Sequence, residues 1–248
     1  MKEADRTDMG YCREIAKHFL YMDVETNHPL GRPFIYHPYA KSEFIIDENG
    51  NLNSIVDDAD TLDYFRQTIL KRIDNTDSYT GFMSVLCDTY FMAFLRFTKD
   101  HVSKKDLSLY LHQAWISCEF PNADANLKKS QLLKLFKKAD PRYLMSEEDL
   151  EMYGSFQDIL TVYRGTGQKD NQHEALSWTL DKKTAEWFAT RFSEHGYVYQ
   201  AKIHKEDVFA FFNDRNEQEI VLDYRNLRDI CRRKVKRKER KRSLELQK

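Results

Sequence analysis

At 248 residues, with 41% hydrophobic, 13% aromatic and 32% charged content, the chain is long enough to bury a full core as one large domain or two small ones. No apolar stretch approaches the length of a membrane span, and the opening "MKEADRTDMGYCREIAKHFL" has no apolar signal region, so the expected setting is a cytoplasm, native or reached by delivery. Cys12, Cys87, Cys118 and Cys231 are far apart and form no C-x-x-C pair, and the eight histidines are scattered, which points to reduced packing thiols and away from a metal site.

In chain order, a helix is expected around Arg13 to Met22, followed by the Pro- and Gly-rich loop "NHPLGRPFIYHPYAK" and a hairpin in "FIIDENGNLNSI". From there to Tyr153 the pattern is helical. Leu62, Phe65, Ile69 and Ile73 keep helical spacing, Phe82, Leu86, Phe94 and Phe97 do so less strictly, and Leu107, Leu111, Ala114 and Cys118 repeat it. "LKKSQLLKLFKKA" reads as a basic amphipathic helix before Pro141, and Ser146 with Asp149 opens a further helix by a capping pattern. After Tyr153 the texture changes to short strands: "DILTVYRGT", interrupted by Gly165, then "ALSWTL", "GYVYQAKI", "VFAFF" and "EQEIVLDY". One helix, "DKKTAEWFATRF", falls among them with Ala185, Phe188, Ala189 and Phe192 on one face. Trp178, Trp187 and Phe188 read as core.

The net charge of −1 conceals an asymmetry, for Arg228 to Lys248 holds eleven Lys/Arg against three Asp/Glu. Within it, "CRRKVKRKERKR" places nine Lys/Arg between Arg232 and Arg242. Such a run fits a solvated, partly disordered tail, or a contact with nucleic acid or a ribonucleoprotein through phosphate neutralisation. The three regions are thus 1–155, mainly helical; 156–228, β-rich; and 229–248, a basic tail.

Three motifs in the β-rich region carry chemistry. "VYRG" ends one strand, "SWT" begins at Ser177, thirteen residues after Arg164, and the second glutamate of "EQE", Glu219, follows forty-two residues after Ser177. Strand alternation puts Glu217 and Glu219 on one face, about 6.5–7 Å apart. Taken alone, that pair also fits the charged outer face of an edge strand. The order of the motifs resembles the Arg-Ser-Glu class of toxin-like mono-ADP-ribosyltransferases, which split NAD and transfer ADP-ribose to a protein. The resemblance covers roughly Phe156 to Tyr224, and the connection "GTGQKDNQHEA" between the first two motifs is shorter than in those toxins. It implies an α+β fold, with an ADP-ribosyltransferase-like split, mostly antiparallel sheet in the C-terminal half and a helical N-terminal half, which is either a separate region or the counterpart of the helical lobe of those toxins.

By the same resemblance NAD is the substrate and no metal is needed. Arg164 would grip the NAD diphosphate by paired hydrogen bonds, though a lone arginine also fits an ion pair with a neighbouring acid. Gly165 would let main-chain groups approach the nicotinamide amide, where otherwise it is a turn glycine. Ser177 would brace the glutamate and orient the ribose, and Thr179 would join it in holding NAD. Glu219 would stabilise positive charge developing at C1′ of the nicotinamide ribose, and Glu217 would orient and deprotonate the acceptor, an arginine in the ExE branch. The expected partners are NAD, a protein acceptor and, through the basic tail, nucleic acid, with no membrane. The expected activity is arginine-directed mono-ADP-ribosylation; NAD hydrolysis at the same site and a catalytically inert binding protein are the alternatives.

Overall fold

The computed structural model describes residues 6–26, 34–47, 49–119, 124–167 and 172–237. The chain divides into two compact units, Met1–Leu144 and Met145–Lys248.

The first unit is built on helices α1 (Met9–Leu20), α2 (Ala59–Asp74), α3 (Phe91–Thr98), α4 (Lys104–Ser117), α5 (Lys129–Lys138) and the short α6 (Pro141–Leu144). Helix α1 starts four residues earlier than its apolar pattern suggests, because Asp8 caps it by accepting the Tyr11 N–H at 2.9 Å. Strands β1 (Phe44–Ile46) and β2 (Leu52–Ser54) form the expected hairpin in antiparallel register. Its tip turns through Gly50, at φ 82°, while Asp47 accepts the main-chain N–H groups of Asn49 and Asn51. The aromatic core centres on Tyr79, Phe82, Phe94 and Tyr110, all essentially buried. Each such side chain contributes about 1.5–3 kcal/mol by leaving water. Phe82 and Leu86 depart from the expected α-helix: 3₁₀ turns occupy Thr80–Ser84 and Asp88–Tyr90, and between them the Cys87 N–H bonds the Pro38 carbonyl. Phe97 is 48% exposed rather than part of that core.

The second unit opens with α7 (Glu147–Gly154), capped by Ser146 as the sequence suggests. Its strands are β3 (Ile159–Thr166), β4 (Ser177–Thr179), β5 (His195–His204), β6 (Val208–Phe212), β7 (Glu219–Leu222) and β8 (Arg228–Lys236), with helix α8 (Lys182–Thr190) after β4. They form one antiparallel sheet in the order β6-β7-β4-β3-β5-β8. The fold class is therefore α+β, as expected. The two halves of the sheet meet weakly, since β3 and β4 pair only at Tyr163 and Thr179.

Two sequence boundaries move. Helix α7 belongs with the strands rather than the helices, because the Asn213 N–H bonds Asp149, the Tyr153 hydroxyl donates to the Val208 carbonyl and Phe156 packs edge-on against Phe211. The first half of the basic run is a strand rather than a solvated tail: Arg228–Lys236 pairs with β5 from Lys202 to His195. Edge strands dense in lysine and arginine resist further pairing, which is why this one hides in a charge run. The rest of the run, from Lys238 onward, lies outside the described residues. Among the described residues no helix is long and apolar enough to cross a membrane.

Helix α8 lies against the sheet at two glycines. A Cβ on Gly165 would meet the Ala185 carbonyl oxygen at 1.8 Å, and one on Gly196 the Ala189 oxygen at the same distance. Ala185 and Ala189 bury there with Val198, flanked by Tyr163 and Val235. The helix stops at Thr190, so Phe192 falls beyond it, and both Phe192 (77%) and Trp187 (56%) are exposed rather than core. Trp178 is core as expected, its indole N–H donating to the Ala175 carbonyl.

Candidate functional site

The three motif-bearing strands are neighbours in the sheet. Thr179 pairs with Tyr163 of β3 on one side and with Glu219 of β7 on the other, and Ser177 pairs with Val221. Residues directly opposite on antiparallel strands share a face, so Ser177, Thr179 and Glu219 lie on one face. Ser177 and Glu219 are diagonal neighbours, about 7–8 Å apart at the backbone, within reach of a glutamate side chain. Glu219 opens β7 and is 4% exposed.

Glu217 is not part of β7. The strand begins at Glu219, and Gln218 has φ 45° while Asn216 has φ 55°, so simple alternation does not relate the two glutamates. They converge by another route. Arg215 Nη2 lies 3.1 Å from a Glu217 oxygen and 3.2 Å from a Glu219 oxygen. The left-handed conformation of Gln218, uncommon for a residue with a Cβ, is held on both sides: its N–H bonds the Asn213 side chain at 3.2 Å and its carbonyl accepts the Leu180 N–H at 3.0 Å. The Thr179 hydroxyl completes the brace by donating to the Glu217 carbonyl at 2.6 Å while accepting the Asp181 N–H at 2.9 Å. Thr179 is thus occupied in fixing the carboxylate loop.

Burial raises the Glu217 carboxyl above the ordinary glutamate range; Glu219 adds to the rise, and Arg215 and Arg191 oppose it. Arg191 itself stacks over Phe192 at 4.4 Å and Phe188 at 5.0 Å.

Arg164 approaches from elsewhere. Alternation from Tyr163 sends it to the face opposite Glu219, and its guanidinium turns into the gap between β3 and β4. There Nε donates to the Gln172 carbonyl at 2.8 Å and Nη1 to the Ser177 carbonyl at 2.7 Å. One of the five N–H donors of the guanidinium therefore bridges the weak seam between β3 and β4, and a second holds the loop that connects the two strands. Burial lowers its pKa to about 10 and the Glu219 carboxylate opposes the fall, so Arg164 carries its charge at neutral pH. Gly165 is neither a turn residue nor an opening for a ligand on its Cα side, since the close approach it permits is that of α8.

A cleft of about 250 Å³ borders the carboxylate loop, lined by Glu148, Asp149, Met152, Phe156, Phe211 and Gln218 among others. It shares Gln218 of that loop but is not lined by Arg164, Ser177, Glu217 or Glu219; the cross-strand register locates the candidate chemistry. Sequence reasoning missed Arg215 and Arg191. The signal for the first was present in "NDRNEQE", a cation two residues before Glu217 and four before Glu219, whereas nothing in the sequence ties Arg191 to Glu217. No protein-family model, curated protein or solved structure matches the chain.

Proposed function

We propose that the chain is a mono-ADP-ribosyltransferase that cleaves the nicotinamide–ribose bond of NAD and transfers ADP-ribose to a protein, at an arginine side chain. The observation that carries this reading is the convergence of two carboxylates, one of them almost wholly buried, beside a cross-strand line that joins all three motif strands. A sheet has little structural reason to bury Glu219 and then hold Glu217 against it in a loop with two residues at positive φ. Such costs gather at working sites.

In this reading Glu219 hydrogen-bonds the 2′-hydroxyl of the nicotinamide ribose, so that its charge faces the positive charge developing at C1′ as nicotinamide leaves. Ser177, diagonal to it, orients the ribose and the carboxylate. Glu217, whose proton affinity burial raises, takes a proton from the acceptor guanidinium. Arg164 ties β3 to the Ser177 carbonyl of β4 and to the Gln172 carbonyl of the connecting loop, and its guanidinium, near enough to Glu219 for the two charges to interact, serves the NAD diphosphate in this reading. The test is incubation of the full chain with tagged NAD and a protein mixture, followed by mapping of the label. Label on arginine side chains supports the reading, and absence of both label and released nicotinamide overturns it.

The exposed basic edge strand favours a second reading, a binding protein for nucleic acid, because Arg228, Arg232 and Lys234 stand exposed along β8. In that case binding weakens steeply with salt and no nicotinamide appears.

A further inference from the structure

The Arg215 guanidinium occupies the place where an acceptor would be deprotonated. Its Nη2 sits between the two carboxylates, 3.1 Å from Glu217 and 3.2 Å from Glu219. The Arg215 side chain is 39% exposed, so an incoming ribose carbon can reach it from solvent, whereas the Glu219 side chain is 6% exposed. The loop around it is held by defined bonds: Asn216 N–H to the Asn213 carbonyl, Gln218 N–H to the Asn213 side chain and the Thr179 hydroxyl to the Glu217 carbonyl. Its position between two acids is thus built into the turn.

We infer that Arg215 is an acceptor within the chain itself: with NAD bound at the proposed site, the protein ADP-ribosylates its own Arg215. This rests on the reading under Proposed function. The step balances without any further reactant. A terminal guanidinium nitrogen of Arg215 forms a bond to C1′ of the nicotinamide ribose, and the C1′–N bond to the nicotinamide ring breaks. The bonding pair leaves with nicotinamide, which departs neutral, and the proton displaced from the attacking nitrogen passes to the Glu217 carboxylate and on to water. The product no longer places a bare guanidinium between the carboxylates. The same contact makes Arg215 a competitor of any external guanidine, so its removal opens the site to other acceptors.

The experiment incubates the full chain with NAD, measures released nicotinamide and intact mass, and maps any adduct by peptide fragmentation. The expected result is a mass increase of one ADP-ribose located on Arg215, at a rate that does not change when the protein is diluted about tenfold, as an intramolecular step requires. Arg215→Lys keeps a cation between the carboxylates but removes the guanidine; the adduct at this position is lost and transfer to the small guanidine agmatine rises severalfold. Nicotinamide release with no adduct on Arg215, an adduct on another arginine instead, or a rate that falls with dilution overturns the self-modification while leaving the transferase reading in place. Absence of nicotinamide release overturns both.

Discussion

Replacing Gly165 with alanine puts a methyl group where the main chain of α8 already lies. The new Cβ would stand 1.8 Å from the Ala185 oxygen and 2.7 Å from the Ala189 nitrogen. Ordinary contact begins near 3.4 Å, so the helix must withdraw by roughly 1.5 Å from an interior packed like a crystal. Overpacking of this kind costs about 1–3 kcal/mol, more when the obstruction is backbone, and the lower chain entropy of alanine returns only about 0.5–1 kcal/mol. The net loss is on the order of 2 kcal/mol, which for a unit the size of Met145–Lys248 corresponds to a fall in melting temperature of about 8 °C or more. Calorimetry of the full chain measures it, with Gly154→Ala as control because a Cβ there meets nothing within 4 Å. Gly196→Ala presses on the same helix, so the double variant should lose less than the sum of the two, one withdrawal relieving both contacts. A Gly165→Ala protein that melts with the wild type would refute the close helix–strand contact.

Further predictions address the carboxylate, the core and the basic strand. Glu217→Ala should abolish transfer to guanidines while sparing much of the slow hydrolysis of NAD; and since burial raises the Glu217 carboxyl and its base form must be ionised, the acid limb of the wild-type transfer profile should lie above the ordinary glutamate range and be absent from the hydrolysis profile. Equal loss of both activities would place Glu217 in NAD binding. Tyr110→Phe should stabilise the first unit by about 1 kcal/mol, because among the described residues its buried hydroxyl has no partner, whereas Tyr79→Phe, which gives up a 2.6 Å bond with Thr98, should cost about as much by denaturant titration. The opposite ranking would contradict the hydrogen-bond assignment. Truncation after Arg237 should leave thermal stability unchanged and weaken salt-sensitive RNA or DNA binding, while truncation after Leu227 removes β8 and lowers stability as well; equal stability of the two proteins would mean that β8 does not pair with β5.

Much of this was legible from side-chain pattern, and the exceptions share a cause. The periodicity of Phe65, Ile69 and Ile73, the Ser146 cap and the β-branched run before Arg164 each reflect local physics, and each became the expected element. The mostly antiparallel sheet expected of the C-terminal half is present, and in it the strands of Arg164, Ser177 and Glu219 are neighbours. What pattern did not reveal depends on partners distant in sequence. Gly165 resembles a strand breaker until α8 is seen to cover it. "CRRKVK" resembles a solvated run because its pairing energy comes from β5. The relation between Glu217 and Glu219 was read as strand alternation, while the chain achieves it with a left-handed Gln218 held by Asn213 and Leu180, and with Arg215 between the acids. Arg164 was expected to be devoted to phosphate, yet one of its donors crosses to the Ser177 carbonyl of β4 and another holds the loop between β3 and β4 at Gln172.

The central claim is that the buried Glu219 carboxylate promotes cleavage of NAD, and nicotinamide release by the wild type and by Glu219→Gln tests it most directly. Glutamine keeps the shape and the strand position but removes the charge that faces C1′, and loss of one such electrostatic contact is worth on the order of 10² in rate. The account predicts release by the wild type without added metal and a fall of that size or larger in a Glu219→Gln protein that melts as the wild type does. Equal release by the two proteins would contradict it.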